Sequence, residues 1–560
     1  MVLIGIDVGG TFTDGVLFHE GAVVHSVKHP TQEDDLKKTL LGVLDELLSR
    51  GQVDKVRRIV LSTTLVTNLL ATGQGERTAL LLLPGSGLPY SAYHISPDTF
   101  FLKGSIDFRG REIEMPDKKE IEKVLDDIER TGIRRVAVAG KFSNRNSRHE
   151  MLVKEIANLK HPHLAVCTSN EISGRLNFPR RAATCYYTAM TLHEWNHFAD
   201  EIEKAVRTRT TAAELHILKA DGGTITLEAS RQHPCETVFS GPAASTMGAV
   251  ALSRDKVNSV VVDIGGTTSD VSLLIEGQPL YASRGALIGG QLTHIDAFAV
   301  NSLALGGDSA ILAEDGEAKV ALVRQGVAAC FGGETATVSD AFNLHLGLNI
   351  GDSERSRTKL QEIAESLSID PESLSQQVVA IVIGRLKESI QYMFSQWEDE
   401  PAYKVWEVVN RRKFVLHRII GIGAAAPAII PLLARELQVE SFLHKYSPVA
   451  NALGAALVRP TLAVEVHVDT QNQVYTVSPG GHGGSLEARN FQLQDAKQMA
   501  QKYLQEISAE RDMKNYSAEA QFYLEEQFNV IRGWDRVGKL FDIGIQITPG
   551  FIDEYKGVAE

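Results

Sequence analysis

Asp7-Val8-Gly9-Gly10-Thr11-Phe12-Thr13-Asp14, near the start of the chain, returns later as Asp263-Ile264-Gly265-Gly266-Thr267-Thr268-Ser269-Asp270. Each copy follows one apolar run and precedes another, so each reads as strand, glycine turn, strand. The match continues past the motif, where Leu17, Glu20 and Gly21 fall opposite Leu273, Glu276 and Gly277. This is the pattern of a duplicated fold. Adjacent glycines let backbone N–H groups approach an anion, and threonine and serine hydroxyls add donors. One such segment alone reads as an ordinary hairpin turn, whereas two in matched settings read as loops that hold one nucleotide between them. Asp7 and Asp263 are poor phosphate ligands, but they suit a Mg²⁺ that keeps several waters and bridges phosphate oxygens.

Paired phosphate loops on duplicated domains resemble the actin, sugar-kinase and heat-shock-chaperone ATPase superfamily. The wording of the two copies is similar to the hydantoinase A/5-oxoprolinase family. Ser62-Thr63-Thr64-Leu65-Val66-Thr67-Asn68 resembles that family's Gly-Thr-Thr-x-x-Thr-Asn segment. Ala220-Asp221-Gly222-Gly223 and Ser240-Gly241-Pro242-Ala243 resemble its Ser-Asp-Gly-Gly and Ser-Gly-Pro-Ala pair, and His149-Glu150 is similar to a further family pair. The resemblance covers residues 1 to 460 or thereabouts. It implies an α/β fold of duplicated actin-like (ribonuclease H-like) ATPase domains that take ATP and Mg²⁺.

What the resemblance implies for the site is specific. Asp7 and Asp263 would be the catalytic carboxylates and the metal ligands, Asp263 foremost. Gly9, Gly10, Thr11, Thr13, Gly265, Gly266, Thr267 and Thr268 would hold phosphates. Gly421 and Gly423 end an apolar strand before the helical pattern Ala424 to Leu437, whose N-terminus offers free N–H groups; the superfamily lays such a turn against adenosine. Gly306 and Gly307 stand where the family has a glycine-rich turn, with Asp308 replacing a glycine. The family's Ser-Ala-Gly-Ala-Asp-Pro-Gly-Pro-Ala-Cys-Tyr run is not recognisable around residues 320 to 333, so the substrate is not inherited with the nucleotide.

The chain has 560 residues, 43% hydrophobic and 23% charged, enough for several cores in a soluble globular protein. A net charge of −13 without a basic block argues against nucleic acid and anionic lipid as partners. Cys167, Cys185, Cys235 and Cys330 form no C-x-x-C pair and read as reduced thiols, which also argues against an iron–sulfur activator. The first strand is too short for a signal sequence and no apolar run could cross a bilayer, so a cytoplasmic location is expected.

The organisation expected is a first ATPase half with loop 1 at 1–83, an inserted α/β subdomain at 84–180, a second half with loop 2 and the adenosine turn at 181–460, and a small C-terminal α+β unit at 461–560. Helical spacing predicts helices near 33–50, 117–131, 147–159 and 492–508. The small-residue helix Gly241 to Leu252 is expected to cross Asn451 to Val458, as such helices do in the superfamily. Of the histidines, His161-Pro162-His163 reads as a surface turn without a third ligand nearby. His482, among four glycines, reads as a hairpin tip rather than a metal or substrate contact. His294 with Asp296 follows the second loop closely enough to meet a substrate or metal.

The function implied is that of an ATP-dependent amidohydrolase subunit, which phosphorylates a cyclic amide (hydantoin, 5-oxoproline or lactam type) so that water can open it. The resemblance also implies a hydantoinase B-like partner subunit, and an oligomer is expected. A small-molecule kinase and an ATP-dependent carboxylase subunit are alternatives within enzymes. A conformational ATPase acting on a protein partner is the alternative of another class.

Overall fold

The computed structural model describes residues 2–32, 35–50, 55–210, 213–400, 413–487, 490–532, 535–553 and 555–558. Val2–Val8, buried along its length, pairs antiparallel with Phe12–His19, which pairs on to Ala22–Pro30. On its other side it pairs parallel with Val56–Thr63, followed by Glu214–Leu218 and Thr224–Thr226. The second signature repeats the plan: Ser259–Ile264 pairs antiparallel with Ser269–Ile275 and parallel with Arg418–Ile422, which leads to Glu440–Phe442. The registers coincide, Asp7 opposite Asp14 and Asp263 opposite Asp270. Both hairpins turn on the same pair, Glu20 (φ 49°) before Gly21 (82°) and Glu276 (50°) before Gly277 (75°). Two residues at positive φ match the right-handed twist of the strands they join. The chain is α/β, built on two ribonuclease H-like halves of the actin-like kind.

Two small-residue helices, Ser240–Ser253 and Ala450–Leu457, cross where the halves meet. A Cβ on Gly248 would lie 2.0 Å from the Ala450 carbonyl oxygen, and one on Gly454 2.3 Å from that of Ala244. The backbones touch, and only the absence of side chains permits it. The expected crossing is therefore present, with bounds slightly shifted.

The expected domain limits need correction. Thr78–Leu83 does not join the first half's sheet; it pairs in parallel with Arg135–Gly140 and Thr99–Phe101, and Ala165–Thr168 completes that inserted sheet. Its residues alternate between two cores. Leu80 and Leu82 join the core that includes the long helix Phe178–Arg207, while Leu81 and Leu83 join that of Lys118–Arg130 and Arg148–Lys160. Conversely, Phe178–Arg207, Glu214–Leu218 and Thr224–Thr226, placed by sequence in the second half, complete the first, since His216 registers with Val60. The reason is physical: an insertion between a strand and its return displaces the rest of a half far along the chain. Hydrophobic periodicity does not say which sheet a late strand joins.

Beyond the second half, His482–Ser485, Val474–Ser478, Leu462–Asp469, Asp535–Ile547 and Gln521–Arg532 form an antiparallel sheet covered by the helix Leu493–Glu510. The chain then returns to the first half, where Ile552 and Tyr555 pack with Leu3, Val16 and Phe18. Among the described residues no helix is long and apolar enough to cross a membrane.

Candidate active site

The two signature turns line one cleft of about 2320 Å³ between the halves. Their tips meet, with Thr11 Oγ1 and Thr267 Oγ1 3.2 Å apart. Matching bonds close each turn: the Gly9 N–H donates to the Phe12 carbonyl and the Gly265 N–H to the Thr268 carbonyl, both at 3.0 Å. Among the described residues no carbonyl accepts from the N–H groups of Gly10, Thr11, Gly266 or Thr267. Unpaired N–H groups on two facing turns make an anion cradle.

Two cross-strand pairs of carboxylates, one from each half, line the same cleft: Asp7 with Asp14 and Asp263 with Asp270. Burial raises all four from the ordinary carboxylate value, Asp7 and Asp270 to about 7. Repulsion from Asp14 and Asp263 pushes Asp7 the same way. Partial compensation comes from Lys28, whose Nζ lies 2.6 Å from Asp14 Oδ1, and from the Asn451 amide, which donates to Asp7 Oδ2 at 2.7 Å and Asp14 Oδ2 at 3.1 Å. The Ser245 hydroxyl donates to Asp263 Oδ2. Even so, Asp7 Oδ1 and Asp270 Oδ1 are buried with no hydrogen-bond partner among the described residues. Oxygen donors with free lone pairs, held together against their own repulsion, are what a hard divalent cation relieves, so the residues fit Mg²⁺.

Gly9, Gly10, Thr11, Gly265, Gly266, Thr267 and Thr268 face the cleft with Asp7 and Asp263, and so do Gly307 and Gly423. Three expected contacts do not. Thr13 is fully buried, its Oγ1 3.0 Å from that of Thr31, which donates to the Gly9 carbonyl; it braces loop 1 from behind. Gly306 backs loop 2, since a Cβ there would lie 2.4 Å from the Gly266 carbonyl carbon. Gly421 sits inside its strand, where a Cβ would strike Ile430 and Leu443. Sequence reasoning assigned no role to Asp14 and Asp270, although each is the last letter of its motif copy. Lys28, Ser245 and Asn451 carried no signal tying them to the carboxylates.

Two departures from the family pattern turn out to be partners. Asp308, in the glycine-rich turn, lies 2.9 Å from the Arg324 guanidinium, which comes from the stretch where the family run is unrecognisable. Burial raises the Asp308 carboxyl and Arg324 opposes the rise. A carboxylate beside the second loop is thereby neutralised by a cation that replaced a different sequence.

The histidines lie elsewhere. His161 is not without neighbours: its Nδ1 is 2.7 Å from Glu129 Oε2 and its Nε2 3.5 Å from Asp126 Oδ1, and His163 also bonds Glu129. These four side chains form a surface network that tertiary folding, not sequence spacing, assembles. His294 and Asp296 line a second cavity of about 830 Å³. Asp296 is held by both Arg175 Nη atoms at 2.7 Å, and His294, pushed down to about 3 by burial, bonds Ser173 at 2.8 Å. Glu150 is fully buried and accepts from the Gly140 and Asn170 N–H groups and the Ser169 hydroxyl, so it ties the inserted unit together. His482 opens a short strand and stacks near Tyr503.

A family model described as the hydantoinase/oxoprolinase N-terminal region matches residues 3–160, and one described as hydantoinase/oxoprolinase matches residues 181–463. The chain belongs to the hydantoinase/oxoprolinase family. The 5-oxoprolinase of Saccharomyces cerevisiae is 24% identical over 81% of this chain, which spans 41% of that protein. Caprolactamase subunit alpha of Pseudomonas jessenii is 23% identical over 78% of this chain and 67% of its own length. In structure, this hydantoinase/oxoprolinase chain is similar to nucleotide-free acetone carboxylase, with a TM-score of 0.71 at 17% identity over 99% of this chain and 89% of that one. It is also similar to the ATP-dependent caprolactamase of Pseudomonas jessenii, with a TM-score of 0.67 at 19% identity over 97% and 87%.

Proposed function

We propose that this chain is the ATP-using subunit of an enzyme that opens a cyclic amide. The observation that carries the reading is the meeting of Thr11 and Thr267 in a cleft lined by the paired carboxylates Asp7, Asp14, Asp263 and Asp270. Two relatives, named 5-oxoprolinase and caprolactamase subunit alpha, support the substrate class. Resonance makes an amide carbonyl a poor electrophile. Transfer of the γ-phosphoryl group to its oxygen breaks the bond to ADP and leaves an activated imidate that water can attack.

In this reading the N–H groups of Gly10, Thr11, Gly266 and Thr267 and the adjoining threonine hydroxyls hold the phosphates. This fixed array stabilises charge spread over the transferring group. Asp7 and Asp263 would hold Mg²⁺, which when bound screens the charge of the phosphates. Asp263 is the carboxylate best placed to serve the chemistry, since Ser245 fixes its orientation. The subunit label on the caprolactamase relative supports a second, hydantoinase B-like subunit that completes ring opening.

The test is ADP release by the purified chain with 5-oxoproline, hydantoins and lactams, together with calorimetric titration of ATP and Mg²⁺. Ring-stimulated ADP release supports the proposal. Absence of nucleotide binding defeats it.

A further inference from the structure

Asp127 and Glu129 lie in the last turn of the helix Lys118–Arg130, with Asp126 just before them. Carboxylates there face the negative end of the helix dipole and its free carbonyls, so the sequence puts them where a cation is wanted. Permanent cations serve only some of the acids on this helix. Lys160 Nζ lies 2.6 Å from Glu122 Oε1, and Arg130 Nη1 lies 2.6 Å from Asp127 Oδ1. Among the described residues no lysine or arginine pairs with Asp126 or Glu129, which meet histidines instead.

Those histidines come from one turn. The helix Arg148–Lys160 ends at His161, whose N–H donates to the Ala157 carbonyl at 2.7 Å and whose carbonyl accepts from the Leu164 N–H at 2.8 Å. This fixes the His161 backbone, and its ring is buried, while Asp126, Glu129 and His163 stay open to solvent and leave a path of entry. One imidazole nitrogen of His161 and one oxygen each of Asp126 and Glu129 all lie within 4.8 Å of one another. Zn²⁺ bound at about 2.0–2.2 Å holds neighbouring ligand atoms roughly 3.4 Å apart, so side-chain movements of about an ångström close the set round an ion. His163 bonds Glu129 Oε1 while Oε2 faces His161. A ligating carboxylate is commonly oriented by such a hydrogen bond from a residue that does not itself touch the metal. The two histidines also hold the Glu129 carboxyl below its ordinary value, which keeps it anionic.

The donor set names the ion. Imidazole nitrogen with two carboxylates suits a borderline first-row cation, whereas Mg²⁺ prefers oxygen ligands and keeps its waters. An imidazole balances a carboxylate only while it carries a proton; a dication balances both acids at once.

We propose that Asp126, Glu129 and His161 form a Zn²⁺ site, with His163 positioning Glu129 and water completing the coordination. The ion staples the end of Lys118–Arg130 to the turn that leads into Ala165–Thr168, the edge strand of the inserted sheet. It is a structural ion, since none of these four side chains lines the cleft.

The full chain is stripped with a chelator, supplied with Mg²⁺ and a non-hydrolysable ATP analogue so that the cleft is filled, and titrated with Zn²⁺ in a calorimeter. A single site per chain is expected, with Kd in about the micromolar range, looser than a four-ligand structural site. Excess Mg²⁺ should not compete. His161→Gln should weaken Zn²⁺ binding about a hundredfold or more, and Asp126→Asn and His163→Gln about tenfold each. Binding of the ATP analogue should not change in any of the three, which separates this site from the carboxylates of the cleft. Hydrogen exchange adds a local readout. At a Zn²⁺ concentration near the wild-type Kd, amides of residues 126–130 and 161–164 should slow in the wild type and hardly at all in Asp126→Asn, whose exposed side chain can be changed without disturbing the core. Absence of Zn²⁺ binding to the filled chain would overturn the proposal and leave the four side chains as a hydrogen-bonded surface network. Binding that survives both His161→Gln and Asp126→Asn, or that Mg²⁺ displaces, would overturn it as well.

Discussion

At the residue scale, the acids of the cleft make a pH prediction whose sign follows from burial. Asp7 and Asp270 hold their protons up to about 7 in the folded chain, whereas an unperturbed Asp releases its proton near 3.8. Between those values the folded form binds more protons than the unfolded one, so their contribution makes stability fall as pH rises, with no further loss above about 7. Asp7→Asn removes one such group while keeping the shape, and it should raise the apparent Tm of the nucleotide-free chain at pH 8 by about 2–4 °C. No rise in a melting scan would mean that the carboxylate is already relieved in solution. Binding of Mg²⁺ and nucleotide near pH 6 should release protons, seen as a binding enthalpy that changes with the ionisation heat of the buffer. Asp263→Ala should leave the fold intact and lower ADP release by about a hundredfold or more. How much of this was legible follows from strand parity. Residues of Phe12–His19 alternate faces, so Phe12 and Asp14 reach the cleft and Thr13 cannot; in the second copy Thr268 and Asp270 reach it and Ser269 does not. The motif contains that answer in its parity, whereas chemical type alone points to the Thr13 hydroxyl and not to either terminal aspartate.

At the element scale, the crossing helices carry the sharpest expectation. A side chain at Gly454 would meet the Ala244 carbonyl and the Gly248 N–H, 2.3 and 2.5 Å from the added Cβ. Both obstacles are backbone and cannot rotate away. Gly454→Val should therefore cost about 3 kcal/mol or more, at the upper end of overpacking effects, and should either lower the denaturant midpoint or leave the protein insoluble. A variant that melts like the wild type would show that the helices separate more readily than their packing indicates. The crossing was legible through the superfamily resemblance, with which the small residues on both helices agree. The inserted unit was read less well. Its edges fell on Thr78–Leu83 and on Phe178–Arg207, and an all-apolar strand looks the same whichever sheet receives it. Gly306 and Gly421 were misjudged for a related reason: a glycine that lets backbone touch backbone, or side chains pack on a strand, reads in sequence like a glycine that touches a phosphate.

At the scale of the whole molecule, the halves are joined by those two helices and by the return of Phe551, Ile552, Tyr555 and Val558 onto the first sheet. Tyr555 packs with Phe18 and Phe551 and donates its hydroxyl to the Ala251 carbonyl at 2.6 Å, beside the crossing. Its pKa is pushed up to about 12 by burial, as expected of a phenol that stays neutral inside a core. The segment thus ties the first sheet to the Ala251 end of the crossing helix Ser240–Ser253, outside the lining of the cleft. Nucleotide gripped by loops from both halves would draw them together about the crossing helices, the hinge closure that a two-lobed cleft permits. Tyr555→Ala removes a buried ring and a hydroxyl satisfied by backbone, at a cost of about 3 kcal/mol. If the clamp only adds stability, the variant should melt earlier and bind ATP normally at a temperature where it is folded. If it also fixes the hinge, small-angle scattering should show the nucleotide-free variant more expanded than the wild type. Addition of an ATP analogue with Mg²⁺ should then restore the wild-type radius of gyration, because the cleft supplies the missing constraint from the other side. A variant that scatters like the wild type in both states would assign Tyr555 to stability alone and leave closure to the helices.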